Sequence, residues 1–432
     1  MDVVYAREMG KSLAIDNDMD KKLFDTKVGI VGLGYVGLPL SIAAAENGWS
    51  VIGFDKNPNL INDLNLGRSH VVDVQNSQIS NLSSSGKLVF TSNLDKLSEV
   101  DICIICVPTP LSADHKPDLT YLLSASNSIA LVLNSNCIVI NESTSFPGTL
   151  RDVIQKTVLK KRGFDNDIAG YFAAPERINP GGSGFDYRNI PRVLGGTNIL
   201  QISRAKQFYE SLGTTVHLVS SPEVAEFSKL IENSFRLINI SFINELVPYA
   251  AKIGVDIFEA INAADTKPFG FMKFLPGPGA GGHCIPVDPV YLVESANKNN
   301  VRISLVESAI DINLKITDTI VAKALEIIEN TKNPSILLVG VTYKFGINDT
   351  RESPSLRILE NLIDLNIKVF WLDDEINNWG QVPKYNGENF TLAIALTSAT
   401  DANIMEIEGK GPILDCTGRF AKILGVISFF KE

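Results

Sequence analysis

The chain has 432 residues, of which 45% are hydrophobic and 20% charged, with 32 glycines and 20 prolines. This composition predicts a globular protein of roughly two or three domains and excludes the disordered, collagenous and fibrous classes. The formal net charge of −10 at pH 7 repels a phosphate backbone, so we expect no nucleic-acid partner. An anionic small substrate still fits, because a few lysines and arginines in a cleft can outweigh the net charge.

The N-terminal residues and the cysteines bear on location. Five cysteines at irregular spacing do not suit the disulfide framework of a small secreted protein, so we expect a cytoplasmic one. Residues 1–25 form a polar extension that lacks the apolar core of a signal peptide. The uncharged run 28–45 has the minimum length of a spanning helix, but four glycines and Pro39 interrupt it. We interpret it as a buried strand, a tight turn and a helix, and expect no membrane segment.

From residue 26 to about residue 205, short β-branched runs alternate with helical stretches. The predicted strands are KVGIVG, SVIGFD, KLVFTS, DICIICVP, NCIVINES, DIAGYFAAPER and RVLGG. This alternation predicts a parallel sheet with crossover helices, and therefore an α/β domain over residues 26–205.

A glycine-rich turn joins the first strand to the first helix. Gly32, Gly34 and Gly37 form GLGYVG, which permits a tight turn and a close approach of a pyrophosphate to the helix N-terminus. The next strand ends at Asp55, where a carboxylate can accept the ribose hydroxyls and repel a 2′-phosphate. The pattern favours NAD over NADP. A solvated Asp55 beside Lys56 is the alternative interpretation.

The Cys103 and Cys106 pair has CxxC spacing but lies in an apolar run without a second pair or clustered histidines. We therefore predict buried strand residues and no metal site. Cys137 and Cys416 lie in similar apolar runs.

Cys284 differs from the other cysteines, because it lies in the Gly/Pro-rich segment PGPGAGGHCIPVDP. His283 precedes it and Asp288 follows four residues later. The spacing fits both a catalytic thiol facing a ligand and an ordinary surface turn.

Residues 206–330 are mostly helical, with one long helix predicted from Pro222 to about Lys252. Within it, Lys229, Asn233 and Arg236 share one face at i, i+4 and i+7. Their neighbours are mostly apolar, so we predict that this face points into a polar cleft rather than bulk solvent. After a linker at NTKNP, the strand–helix alternation restarts over residues 331–432. The predicted fold is α/β, with two Rossmann-like parallel-sheet domains joined by a long central helix and a helical domain.

Several motifs occur together in one order: GLGYVGLPL, VPTP, NESTSFPGT, PERINPG, SKLIENSFRLINISFINE, GGHCIPVDP and TRESPS. In these motifs the chain resembles, from about residue 26 onward, the family of NAD-dependent nucleotide-sugar 6-dehydrogenases. The resemblance implies a four-electron oxidation of a sugar C6 alcohol to a carboxylate with two NAD and one water. It also implies a C-terminal UDP-binding domain and a homodimer, or higher homo-oligomer, built on the central helix.

The resemblance also implies catalytic roles. Cys284 matches the family nucleophile, which forms a thiohemiacetal and then a thioester, and Lys229 and Asn233 match the residues that bind the C6 oxygen. Asp288 matches an acid that positions water or relays protons. The remaining matches are Thr144, near that water and the nicotinamide, and Glu176, the proposed base for thioester hydrolysis. The group that removes the first proton is left open.

Further residues are assigned to binding through the same resemblance. Lys344 would reach the substrate and Arg351 the cofactor pyrophosphate, although a surface ion pair is the alternative for both. The residues expected to bind the cofactor are Gly32, Gly34, Tyr35, Val36, Gly37, Asp55, Thr109, Thr144 and Arg351. Those expected to bind the substrate are Glu176, Arg177, Lys229, Asn233, Arg236, Gly279 and Lys344.

The substrate branch follows from departures within these motifs. UDP-glucose dehydrogenases carry a second glutamate four residues after Glu176, where this chain has Pro180. Arg177 and the GHC triplet resemble instead the branch that oxidises UDP-N-acetylhexosamines, and we expect UDP-N-acetyl-D-glucosamine. UDP-N-acetylmannosamine, UDP-N-acetylgalactosamine and UDP-glucose are the alternatives within the family. A non-catalytic nucleotide-sugar sensor is the alternative outside enzymes.

Overall fold

The computed structural model describes residues 26–162, 170–178 and 188–431. The predicted polar extension, residues 1–25, lies outside this part of the chain. The first sheet is built from β1 (Lys27–Val31), β2 (Ser50–Phe54), β3 (Leu88–Thr91), β4 (Ile102–Ile105), β5 (Ile138–Asn141), β6 (Tyr171–Ala173), β7 (Arg192–Gly196) and β8 (Val216–Leu218).

The strand order of this sheet is β3-β2-β1-β4-β5-β6-β7-β8, and within the described residues only the β6–β7 pair is antiparallel. The order reverses between β1 and β4, which opens a crevice at the carboxyl ends of the strands. β4 and β5 are buried along their whole length, because apolar clusters cover both faces of the sheet.

Helices supply those covering layers. They are α1 (Gly37–Glu46), α2 (Pro58–Asn65), α3 (Asn76–Ser84), α4 (Thr120–Val132), α5 (Lys156–Arg162) and α6 (Ile202–Ser211), with a 3-10 helix at Leu94–Glu99 and a π-helical segment at Leu150–Gln155. The sheet continues to β8, past the predicted boundary at residue 205. β8 has three residues, two of them exposed. It therefore lacks the alternation of apolar and polar residues that indicates a strand.

The central part of the chain is helical, as the sequence indicates. It comprises α7 (Pro222–Lys252), α8 (Ile257–Asp265), α9 (Asp288–Lys298) and α10 (Ser304–Ile328). α7 begins where Ser221 Oγ accepts a hydrogen bond from the N–H of Val224, a serine N-cap followed by proline in the first turn. Ser241 Oγ donates to the carbonyl of Ala309 over 2.7 Å, which fixes α7 against α10.

A second sheet follows, built from β9 (Ser335–Val339), β10 (Lys368–Leu372), β11 (Leu392–Ala395), β12 (Ile413–Asp415) and β13 (Val426–Ser428), with α11 (Pro354–Asp364) and α12 (Asp401–Ile407). Its order is β10-β9-β11-β12-β13, and the four pairs are parallel. The predicted fold class, two parallel-sheet α/β units around a helical centre, is therefore confirmed.

The predicted burial of the four cysteines in apolar runs is confirmed. Cys103, Cys106, Cys137 and Cys416 are buried, whereas Cys284 is only partly so. Among the described helices, none has both the length and the apolar character needed to cross a membrane.

Candidate active site

The predicted site residues gather at the carboxyl edge of the first sheet. Gly32 follows β1, Asp55 follows β2, Thr109 follows β4, Thr144 follows β5 and Glu176 follows β6. Parallel strands that end at one edge bring these five loops to a common crevice. α7 and the loop between α8 and α9 supply the remaining residues from the central helices.

The glycine-rich turn forms a cradle that requires glycine at two of its three positions, Gly32 and Gly37. Gly32 has φ +94°, a conformation that other residues rarely adopt. A Cβ at Gly37 would lie 1.9 Å from the carbonyl oxygen of Gly32, whereas one at Gly34 would meet no atom within 4 Å. The N-terminus of α1 therefore lies directly over the turn and faces open space, as a bound pyrophosphate requires.

Asp55 closes the other side of this cradle. Its Oδ2 accepts a hydrogen bond of 3.0 Å from the N–H of Leu33, and its Oδ1 accepts one of 2.9 Å from the N–H of Asn57. Both bonds orient the carboxylate beside the turn and leave lone pairs for two hydroxyl donors. The turn and Asp55 together fit the pyrophosphate and ribose of NAD.

The long helix and the Cys284 loop meet as the motif spacing predicts. Lys229 and Asn233 are buried on α7, and Asn233 Nδ2 donates to Asp288 Oδ2 over 2.5 Å. The N–H of Asp288 donates to the carbonyl of Cys284 over 2.9 Å. Arg236, one turn further along α7, is exposed, yet its positive charge acts on Cys284. The predicted polar face is thus buried at its N-terminal end and solvated at Arg236.

Burial controls the charge states of this cluster. It raises the pKa of the Cys284 thiol to about 12, with the charge of Asp288 adding to the rise and Lys229 opposing it. It raises the pKa of Asp288 to about 7 and that of Glu176 to about 7, although the Lys229 ammonium opposes both shifts. The two carboxyl groups can therefore exchange protons near neutral pH.

Lys229 carries the compensating charge. Burial alone lowers the pKa of its ammonium, but the neighbouring acidic groups, Glu176 first among them, outweigh that effect and raise the pKa. Lys229 is consequently a cation held among acidic groups, which suits it to bind an oxygen that gains negative charge.

Glu176 and Arg177 follow β6 and have different partners. The carboxylate of Glu176 is buried and accepts a hydrogen bond from the N–H of Ile178. Arg177 forms an ion pair with Glu232, with Nη2 2.6 Å from Oε1, and donates to the carbonyl of Pro191 over 2.7 Å. Its substrate contact stays a prediction, and Pro180 lies outside the described residues.

The loop after β9 brings the second α/β unit to the crevice. Arg351 Nη2 donates to Asp349 Oδ2 over 2.6 Å, and its guanidinium lies 5.1 Å from the centre of the Tyr35 ring. The Tyr35 hydroxyl donates to the carbonyl of Asn348 over 3.3 Å. Lys344 is half-buried, and burial and the charge of Arg236 lower its pKa. Arg351 therefore lies at the cofactor cradle, and Lys344 lies near the exposed end of the cluster.

The loop after β9 also contacts the loop that carries Cys284. A Cβ at Gly281 would come 2.8 Å from the carbonyl oxygen of Glu352, and one at Gly282 would come 2.6 Å from the Tyr343 ring. The glycines of GGHC thus allow the two loops to approach backbone to backbone.

Three predicted residues lie further from the cluster. Thr109 hydrogen-bonds the Tyr291 hydroxyl, so the VPTP loop is tied to α9. Gly279 has φ +117°, and a Cβ there would lie 3.1 Å from Ile316 of α10, which gives it a packing role beside its predicted one. Val36 is partly buried against the first apolar cluster. The described residues contain no group of side chains suited to a metal ion.

Sequence reasoning missed one buried carboxylate near the site. The two Glu226 oxygens accept hydrogen bonds of 2.7 Å from the N–H of Gly148 and 2.8 Å from that of Leu150. Glu226 therefore ties α7, one turn before Lys229, to the loop that carries Thr144. No distinct signal marks it in the sequence, because Glu223, Lys229 and Glu232 lie within six residues of Glu226 on the same helix.

Family models match two parts of the chain. Residues 26–213 match the NAD binding domain of the UDP-glucose/GDP-mannose dehydrogenase family, and residues 223–315 match its central domain. The chain is 35% identical to UDP-N-acetyl-D-glucosamine 6-dehydrogenase of Pseudomonas aeruginosa over 83% of this chain and 86% of that protein. It is 34% identical to UDP-N-acetyl-D-mannosamine dehydrogenase of Pyrococcus horikoshii over 77% of this chain and 80% of that protein.

Solved structures resemble the fold over most of its length. The structure of the UDP-D-ManNAc dehydrogenase of Pyrococcus horikoshii superposes with a TM-score of 0.83 at 29% identity, covering 93% of this chain and 98% of that one. A UDP-glucose dehydrogenase from Pyrobaculum islandicum has the same TM-score, with 22% identity, over 93% of this chain and 96% of its own. The second likeness concerns the fold alone.

The Gly37 cradle yields a prediction. Replacing Gly37 with Ala places a methyl group against the Gly32 carbonyl and forces α1 away from the turn, so we expect NAD affinity to fall by roughly tenfold or more, about 1.4 kcal/mol. Titration of the purified variant with NAD by calorimetry measures the change, and circular dichroism checks that the fold is retained. An unchanged affinity in a folded variant would show that the close approach does not shape the cofactor site.

Proposed function

The chain belongs to the UDP-glucose/GDP-mannose dehydrogenase family and is an NAD-dependent nucleotide-sugar dehydrogenase; from this premise we propose that it oxidises C6 of UDP-N-acetyl-D-glucosamine to a carboxylate. The supporting observation is the buried cluster of Cys284, Lys229, Asn233, Asp288 and Glu176 at the edge of the cofactor crevice. In the overall reaction R–CH₂OH, two NAD⁺ and water give R–COO⁻, two NADH and three protons. The product is an aminouronic acid nucleotide, a precursor for surface polysaccharide or glycan synthesis.

The first oxidation uses the polar face of α7. Gly32 and Gly37 would hold NAD in the cradle, and the bound cofactor would supply the hydride acceptor for both oxidations. The Lys229 ammonium and the Asn233 amide bind the C6 oxygen and stabilise its developing negative charge. Arg351, already at the cradle, binds the pyrophosphate from the second α/β unit.

Covalent catalysis follows at Cys284. Its sulfur bonds to the C6 aldehyde carbon as a thiohemiacetal, and the second oxidation leaves a thioester. Because the thiol pKa is about 12, attack requires transfer of its proton, and Asp288, with a pKa of about 7, is the proposed acceptor. Thr144 helps to hold the water, and Glu176 takes its proton during hydrolysis of the thioester.

Two observations support UDP-N-acetyl-D-glucosamine as the substrate. They are the motifs around Arg177 and Cys284, and the relative from Pseudomonas, which is named for this sugar. UDP-N-acetylmannosamine is the second candidate, because the relative from Pyrococcus is named for it at nearly the same identity. The two sugars differ only in the orientation of one acetamido group, so a few side chains determine the preference. The cytoplasmic location expected from cysteine usage stays a prediction.

The decisive experiment supplies NAD with each of four sugars separately and follows the NADH absorbance to completion. We expect two NADH per UDP-N-acetyl-D-glucosamine and slower turnover of UDP-N-acetylmannosamine, UDP-N-acetylgalactosamine and UDP-glucose. A preference for another sugar would correct the substrate and keep the mechanism. If a sugar binds and no NADH forms from any of the four, the protein is a nucleotide-sugar sensor instead.

Replacing Cys284 with Ser tests the covalent step. Serine is a far weaker nucleophile at neutral pH and cannot form the thioester, so net carboxylate formation should fall by roughly 10³-fold or more. Single-turnover assays with product detection by mass spectrometry measure this loss. Cys137→Ala is the matched control, because that thiol is buried in the first sheet and should not alter the two-NADH stoichiometry. Formation of the carboxylate at the wild-type rate by Cys284→Ser would refute the nucleophile assignment.

We also propose that α7 forms the interface of a homodimer. One side of this helix is apolar and exposed, with the side chains of Phe227, Ile231, Phe235, Phe242 and Tyr249 each 44% to 64% exposed. The stripe runs for about 33 Å along the helix and borders a groove of about 430 Å³ that Phe235, Phe242 and Phe274 help to line. An apolar stripe of this length favours association with a second copy over contact with water.

Replacing Phe242 with Asp introduces a charge into the middle of this stripe. We expect the variant to sediment as a monomer where the wild-type chain sediments as a dimer or larger oligomer. Leu131→Asp is the matched control, since Leu131 is equally apolar and exposed but lies on α4. A monomeric wild-type chain, or a dimer that Phe242→Asp leaves intact, would contradict the assignment.

A further inference from the structure

A buried ion pair lies beside Glu176, outside the cluster described above. Arg192 is the first residue of β7, and its Nη1 lies 3.4 Å from Oε2 of Glu142, the residue directly after β5. Both side chains are almost completely shielded from solvent. Their mutual attraction and their effects on neighbouring groups are therefore little screened by water or salt.

Arg192 also holds the backbone that leads into Glu176. Its Nη1 donates to the carbonyl of Ala174 over 3.2 Å and to that of Pro175 over 3.1 Å. The N–H of Glu176 donates to the carbonyl of Glu142 over 3.2 Å. The two members of the ion pair thus contact the chain on both sides of the Pro175–Glu176 peptide.

Tyr209 of α6 completes the arrangement. Its hydroxyl donates to Oε1 of Glu142 over 2.7 Å, and its ring lies 5.0 Å below the Arg192 guanidinium. These contacts orient both charged groups, so the ion pair has one defined geometry relative to Glu176.

Stability alone is a weak explanation for such a pair. The cost of removing two charges from water commonly cancels their attraction, and apolar residues of similar volume often stabilise a core equally well. The two charges act on Glu176 in opposite directions: the positive Arg192 lowers the pKa of its carboxyl, against the larger rise caused by burial, and the negative Glu142 adds to that rise. A pair in this position therefore influences the proton affinity of the neighbouring carboxylate.

We propose that Arg192 and Glu142 are positioning residues that orient Glu176 and set its charge state for hydrolysis of the thioester. The inference rests on the proposed function, because it assigns Glu176 to that step. In the step, water oxygen bonds to C6, its proton passes to the Glu176 carboxylate, and the C6–S bond breaks. The Cys284 thiolate then takes a proton, and the sugar leaves as the carboxylate with release of one proton to solvent. Glu176 must accept and return a proton, which requires a carboxyl poised near the working pH.

The test uses two substitutions by glutamine that remove opposite charges, of which Glu142→Gln is nearly isosteric. Arg192→Gln removes the positive charge, so the acid limb of the pH–rate profile should move to higher pH. Glu142→Gln removes the negative charge, so the same limb should move to lower pH. We expect each displacement to be roughly half a pH unit or more, measured as NADH formation under conditions where thioester hydrolysis limits the rate.

Opposite displacements distinguish this role from a structural one, since general damage to the site would lower the rate without moving the limb in two directions. Asp101→Asn is the matched control. It also converts a carboxylate of the first sheet to its amide, but Asp101 precedes β4 at the amino edge of the sheet, where its Oδ2 accepts a hydrogen bond of 3.0 Å from the N–H of Lys27. It should leave the acid limb in place. Displacements of both test variants in the same direction, or of neither, would overturn the inference.

A direct titration keeps the inference testable if a variant has too little turnover. Carbon-13 NMR of glutamate-labelled protein, with the Glu176 carboxyl assigned from the spectrum of Glu176→Gln, reports its protonation without any substrate. The midpoint should rise in Arg192→Gln and fall in Glu142→Gln, and equal midpoints would refute the proposal. Absence of NADH with all four sugars would instead refute the proposed function, and the titration would still decide whether the pair sets the charge of Glu176.

Discussion

One buried ammonium group makes the site possible. The carboxyl groups of Glu176 and Asp288 are withdrawn from water around Lys229, and both would be driven further to the neutral form if no positive charge lay between them. The arrangement therefore requires α7 to be held firmly, because a small displacement of Lys229 would leave buried acids without compensation. Four contacts supply that restraint: the Ser221 cap, the Glu226 bonds to the Thr144 loop, the Asn233–Asp288 bond and the Ser241 bond to α10.

The second α/β unit contributes a loop that borders the crevice and none of the acid–base groups described above. Its loop after β9 contacts the cofactor cradle at Tyr35. The same loop contacts the segment that carries Cys284 at Gly281 and Gly282. One loop thus contacts both parts of the crevice, the cradle that fits NAD and the loop that carries Cys284. A displacement of this loop would change both parts at once, which couples the two halves of the crevice.

The sequence predicts the helices and strands of this molecule better than it predicts the contacts between their side chains. Local rules suffice for α7, where a serine cap and Pro222 mark the start, and for most strands, which are short runs rich in apolar and β-branched residues. They fail at β8, whose residues are mostly exposed, and at Arg177, whose ion pair with Glu232 depends on a helix more than fifty residues away. The Glu142–Arg192 pair left no pattern, since Glu142 follows β5 and Arg192 begins β7, and the two meet only through the sheet. The catalytic roles came from the resemblance to a family and stay proposals, whereas the convergence of the motifs at one edge follows from parallel topology.

The raised pKa of the Cys284 thiol lowers its susceptibility to oxidants. Peroxides react with thiolates, and a thiol with a pKa near 12 offers very little thiolate in the resting protein. The burial that makes Cys284 dependent on a neighbouring base thus also makes it a poor target for oxidants. With its fellow cysteines buried in the two sheets, no partner thiol is at hand to trap a sulfenic acid as a disulfide. Slow oxidation would therefore proceed toward irreversible products, so protection at this cysteine comes from low reactivity and not from repair within the chain.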